Sequence, residues 1–110
     1  MERNHWSAIE EMDPEYKRTF QVWHRGLLEK EHPQRKYREL INVAMACILR
    51  EEDVILAHAQ QAKRCGATKA EILGTVEQVM TMGGIPAFRT AMLVLDPFFL
   101  EFDEKETVTE

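Results

Sequence analysis

The chain has 110 residues, enough for one domain, with 45% hydrophobic and 30% charged residues, a balance that excludes disordered and fibrous classes. Basic residues number 14 against 19 acidic, net −5, but residues 101–110 hold five acids and one base, so the other hundred are almost neutral. No basic stripe of the kind that neutralises phosphates is present, and even Arg35-Lys36-Tyr37-Arg38 is flanked by Glu29, Glu31 and Glu39; nucleic acid is not an expected partner. Two cysteines cannot make a disulfide scaffold. The first residues, Met1-Glu2-Arg3-Asn4-His5-Trp6, lack the apolar segment of a signal peptide. The longest apolar run, Val43 to Leu49, is far shorter than the ~20 residues of a membrane span. The expectation is a cytoplasmic protein without membrane contact.

Every strong periodicity is helical. Asp13-Pro14 can start a helix, proline fitting its first position, and Tyr16, Phe20, Trp23 and Leu27 then make one apolar stripe. By default such a stripe, Trp23 included, is core. Tyr37, Leu40, Ile41, Ala44 and Ile48 mark a second long helix. A polar break at 50–53 precedes a third, with Ile55, Ala59 and Ala62 on one face and Val54, His58 and Cys65 on its neighbour. Gly66 suits a left-handed C-cap. Thr68 and Glu71 form a T-x-x-E capping box, opening a helix with Ile72, Val76, Val79 and Met80 inward. Gly74 inside that helix costs about 1 kcal/mol relative to alanine, which points to close helix packing or the approach of a ligand. Gly83-Gly84 breaks the chain, and Pro86 opens a last helix carrying Phe88, Ala91, Met92 and Leu95. The result is all-α, with five main helices and a short sixth at the N-terminus. The whole chain, 1–110, reads as one domain with its core at about 14–96. Residues 97–102 hold Phe98, Phe99 and Phe102, which either fold back on the core or dock on a neighbouring subunit. Residues 103–110 are an acidic, frayed tail.

The segment from Glu39 to Ala87 resembles the carboxymuconolactone decarboxylase / alkylhydroperoxidase AhpD-like family. The features that carry the resemblance are Glu39-Leu40-Ile41, His58 ahead of Ala62, Gly66-Ala67-Thr68-x-x-Glu71-Ile72, and Met82-Gly83-Gly84-x-Pro86; residues 13–38 match more loosely. The resemblance implies a homo-oligomer, a trimer or hexamer, with its site near a subunit seam. The redox branch of the family carries E-(x)11-C-x-x-C-x-x-x-H. On that spacing Glu39 and His58 are retained, whereas Glu51 and Val54 stand where the two thiols would be. A thiolate at a helix N-terminus is favoured by the dipole; Glu51 offers a carboxylate there, able to cap the helix but not to reduce a peroxide. C-x-x-C peroxidase chemistry is therefore not expected.

Three residues remain as candidates for a site. His58 suits proton transfer near neutral pH, against the alternative of a satisfied core histidine. Glu39 is its natural partner: at 1.5 Å per residue the two are offset by about 8 Å along adjacent helices, a gap that long side chains or a water can bridge. The alternative for Glu39 is an exposed pair with Arg35 or Arg38. Glu51 is either a third member or simply a helix-start acid. Cys47 and Cys65 lie about 15–20 Å apart along an antiparallel pair, too far for a disulfide, and read as small buried hydrophobes. His5, His24 and His32 share no ligand-like spacing, so neither a metal nor another cofactor is expected. Three functions stay open: acid/base chemistry at His58 on a small carbon acid or lactone; a non-catalytic binding or assembly protein with the same fold; and an AhpD-like antioxidant protein using Cys47 or Cys65.

Overall fold

A computed structural model describes residues 2–102, and the acidic 103–110 segment lies outside the described residues. Six helices follow one another: α1 (His5–Met12), α2 (Pro14–Leu28), α3 (Arg35–Leu49), α4 (Glu52–Arg64), α5 (Lys69–Gln78) and α6 (Met80–Leu100). There is no strand among the described residues, and the class is all-α as the periodicity required. The chain forms two compact units, one up to His32 and one from Pro33 onward. None of the described helices is long and apolar enough to cross a membrane.

The first unit is a helical hairpin. Asn4 and Ser7 make a reciprocal capping box at the start of α1. Asp13 accepts a hydrogen bond from the Tyr16 N–H at 3.1 Å, with Pro14 at the first helical position of α2. The hairpin closes through Trp6 of α1 against Phe20 of α2 at 4.6 Å, and within α2 His24 stacks on Phe20 at 5.5 Å. Neither helix buries a residue fully. Trp23, expected in a core, is 60% exposed. Within this unit α2 has only α1 to pack against, and one helix covers only a narrow strip of another.

The second unit holds a core of small and branched residues. Val43, Cys47, Ile55, Ala59, Ala62, Ile72, Val76, Ala91 and Leu95 have no exposed surface. Alanines at this density let helices approach closely. The sequence stripe on α3 is divided: Leu40 is buried and Ala44 half-buried, but Tyr37, Ile41 and Ile48 stay exposed. The helix is apolar on two sides, and the side with smaller residues (Val43, Ala46, Cys47) forms the core. On α5 the inward set is Ile72, Val76 and Val79; Met80 already belongs to α6 and is exposed. Phe99 and Phe102 are buried in the core cluster and Phe98 packs against it.

Helix ends follow sequence chemistry closely. Thr68 and Glu71 make the expected capping box, at 2.9 and 3.0 Å. The Thr68 N–H, and then the Lys36 ammonium at 3.1 Å, hold the Glu71 carboxyl below its usual range; the same bond to Glu71 raises Lys36. Gly66 (φ 96°) ends α4 in a Schellman motif, the Ala67 N–H donating to the Ala62 carbonyl at 2.9 Å. The same motif ends α3, where the left-handed residue is Arg50 (φ 57°) and the Glu51 N–H donates to the Ala46 carbonyl. A left-handed non-glycine costs roughly 1–2 kcal/mol, while glycine adds about 0.5–1 kcal/mol of unfolded-chain entropy. Arg50→Gly should therefore stabilise the protein by up to about 1 kcal/mol; urea unfolding checks this, and a loss of stability would show that the Arg50 side chain holds the turn.

The Gly83-Gly84 pair has two separate reasons. Gly84 (φ 70°, ψ −171°) kinks α6 in a region open essentially to glycine alone. At Gly83 a Cβ would stand 2.7 Å from both Ala87 and Ile48 side-chain atoms, so a methyl has no room.

Candidate functional site

The geometry around α3 and α4 begins with the turn at 50–51. Reversal there lays α4 back along α3, and the long side chains of Glu39 and His58 span their offset along the two helices. Glu39 and His58 meet directly: His58 Nδ1 lies 2.7 Å from Glu39 Oε1. Of the routes open from sequence, a direct bond, a water bridge or a pair with Arg35 or Arg38, the structure takes the first. The Glu39 side chain is 9% exposed and that of His58 32%.

An ionised carboxylate only accepts, so the bond requires the proton on Nδ1. Nε2 then carries the lone pair. It has no hydrogen-bond partner among the described residues, and no buried side-chain nitrogen or oxygen among them lacks one; Nε2 therefore reaches solvent. A buried carboxylate holding one nitrogen fixes the ring's tautomer and orientation. The arrangement can take a proton at Nε2 and give it back.

Glu51 does not join the pair. It occupies the N-cap position of α4, exposed, with no side-chain capping bond. The expectation that its carboxylate caps the helix is corrected: caps favour short Asp, Asn, Ser and Thr side chains, and the Glu51 side chain makes no capping bond. Its backbone is used instead, closing α3 by its N–H and accepting from the Ile55 N–H at 2.9 Å. Val54 is 42% exposed on the same helix. Both cysteines are free thiols, Cys47 buried and Cys65 half-buried. Burial pushes the Cys47 thiol up to about 11. No cluster of three or more His, Cys, Asp or Glu residues that could hold a metal ion occurs among the described residues.

The family model described as the carboxymuconolactone decarboxylase family matches residues 14–97. All-helical architecture and a match over most of its length place the chain in that family, and the chain belongs to it. No curated protein sequence matches the chain.

Sequence reasoning missed one feature. A groove of about 630 Å³ runs between α3 and α5, lined by Tyr37, Ile41, Ala44, Met45, Ile48, Gly74 and others. The signal was present in the second apolar side of α3 and in Gly74. Gly74 makes no close helix contact, since a Cβ there would meet nothing within 4 Å; it opens onto the groove.

Proposed function

We propose that the His58–Glu39 pair is an acid/base couple acting on a small carbon acid or lactone, in a protein without thiol peroxidase chemistry. The observation that carries this reading is the 2.7 Å bond from Nδ1 to a buried carboxylate, which leaves Nε2 as the working nitrogen. In proton abstraction, Nε2 takes the proton from a carbon beside a carbonyl, and the C–H electrons move to the carbonyl oxygen as an enolate. Glu39 holds the resulting imidazolium through Nδ1–H. The proton returns from Nε2 to carbon to complete the step. In a decarboxylation the C–C bond breaks, CO2 leaves, and a protonated His58 delivers its proton to the carbanion. Positioned general acid/base groups are worth about 10²–10⁴-fold in rate.

The test uses a panel of small lactones and β-keto acids, with solvent deuterium incorporation followed by NMR and CO2 release followed directly. His58→Gln should lower turnover by about 10²–10⁴-fold, and Glu39→Gln should lower kcat while leaving KM near the wild-type value. Turnover that survives His58→Gln would overturn the reading.

A second reading, a binding or assembly protein with this fold and no catalysis, is favoured by one observation. Neither the α3–α5 groove nor the depression at Lys63, Arg64 and Phe98 includes His58 or Glu39 in its lining. That reading gains if the wild-type protein processes none of the panel and His58→Gln changes neither stability nor ligand binding.

A further inference from the structure

Asn42 stands beside the His58–Glu39 pair with its side chain unused by the fold. Residues 39, 42 and 46 are spaced three and four apart and make one strip of α3. Both ends of that strip meet α4 or the turn into it. Glu39 does so through His58 at 2.7 Å, and the buried Ala46 through its carbonyl, which accepts the Glu51 N–H at 3.2 Å. Asn42, between them, therefore faces the same seam. It is half-buried, as His58 is.

Height along the seam sets Asn42 opposite His58. Counted from Glu51, Asn42 lies about 14 Å back along α3 and His58 about 11 Å forward along α4, at 1.5 Å per residue. Their offset is about 3 Å, against about 8 Å for Glu39. The carboxylate thus reaches the ring from further up the bundle, while the amide stands nearly level with it. An asparagine amide offers two N–H donors. That of Asn42 has no hydrogen-bond partner among the described residues. Asparagine is also among the less favourable residues inside a helix, so neither propensity nor an internal bond accounts for its presence there.

Proton abstraction from carbon puts negative charge on the neighbouring carbonyl oxygen. Nε2 of His58 takes the proton, the C–H pair becomes the enolate double bond, and the carbonyl π pair moves to oxygen. A donor fixed where that charge develops stabilises the transition state more than the ground state. Glu39 cannot be that donor, because a carboxylate only accepts. We propose that Asn42 Nδ2 donates to the carbonyl oxygen of the substrate and holds the enolate while His58 carries the proton. No atom is transferred from Asn42; the hydrogen bond strengthens as the enolate forms and weakens when His58 returns the proton to carbon. The substrate is then a carbonyl compound whose acidic C–H adjoins the carbonyl, so that a planar enolate spans two side chains at one height. This role rests on the acid/base reading of His58 and adds the group that receives the charge. Gln61, three residues beyond His58 on α4 and also half-buried, lies about 5 Å further from the turn and is the competing donor.

The experiment has a kinetic arm and a binding arm. In the first, solvent deuterium incorporation into the lactones of the panel is followed for folded variants, their helicity checked by far-UV circular dichroism. Asn42→Ala and the isosteric Asn42→Asp should each lower kcat by about 10²-fold with KM near the wild-type value, and Gln61→Ala should leave kcat unchanged. In the second, acetohydroxamate, a planar enolate analogue, is titrated into the ¹⁵N-labelled full chain. The Asn42 side-chain NH2 signals, identified by their loss in Asn42→Asp, should shift together with the His58 ring signals, and the Gln61 NH2 signals should stay. Exchange abolished by His58→Gln but intact in Asn42→Ala would overturn this role and leave the His58 reading standing. Exchange that survives His58→Gln would remove both. A loss confined to Gln61→Ala would assign the donor to Gln61 instead. Where the wild-type protein exchanges none of the panel, Asn42 NH2 signals unmoved by acetohydroxamate overturn the proposal on their own.

Discussion

In the folded protein Cys65 should react with a thiol reagent at least about 100-fold faster than Cys47. Reaction requires the thiolate, and a thiol whose pKa is pushed up to about 11 is ionised only about once in a thousand at pH 8. Burial adds a steric barrier, because the Cys47 side chain has no exposed surface while Cys65 is half-buried. The sign of the pH effect follows from the raised value: the Cys47 rate should climb about tenfold per pH unit throughout the range below about 11. Denaturation should abolish the difference. Peptide-resolved mass spectrometry of alkylated protein measures both sites at once. Rapid alkylation of native Cys47 at pH 7 would contradict this environment and would revive the antioxidant reading, as would peroxide consumption lost on replacing either cysteine by serine.

Leu95→Ala should destabilise the protein by about 2–5 kcal/mol, a large part of the ~5–15 kcal/mol available to a small domain. Leu95 has no exposed surface and sits on α6 between Ala91 and Phe99, both buried in the same cluster. The many alanines around it are already minimal side chains. They cannot extend into the vacated volume, so the cavity stays open and the loss falls high in the range. Leu93→Ala, two residues away but 72% exposed, should stay within about 0.5 kcal/mol of wild type. Urea unfolding by circular dichroism compares them directly, and a Leu95→Ala loss below about 1 kcal/mol would mean that α6 is not anchored there.

Much of the second unit was legible from local chemistry. Thr68 and Glu71, Gly66, and the Gly83-Gly84-x-Pro86 turn each have a short-range physical reason, so their structural consequences hold whatever surrounds them. The Glu39–His58 pairing was legible for a related reason. A tight turn between two helices makes spacing along the chain a measure of height along the bundle. Choices between faces were less legible. Trp23 and Ile41 have the composition of core residues, but burial depends on whether another helix arrives, which no window of sequence contains. Glu51 shows the same limit on a smaller scale, because its position at a helix start was evident while the absence of a capping bond from its side chain was not.

Sequence alone determined an all-helical chain of the carboxymuconolactone decarboxylase family, with its Thr68–Glu71 capping box, the left-handed end of a helix at Gly66 and the break in direction at Gly83-Gly84. These are properties of periodicity, capping and residue identity, set within a few residues of chain. Only the tertiary structure decided that Glu39 meets His58 by a direct bond and not through water or an arginine. Likewise it decided which side of α3 enters the core, leaving Tyr37, Ile41, Met45 and Ile48 outside it. Both outcomes depend on how closely and at what rotation helices distant in sequence pack, and small alanine-rich contacts set those distances.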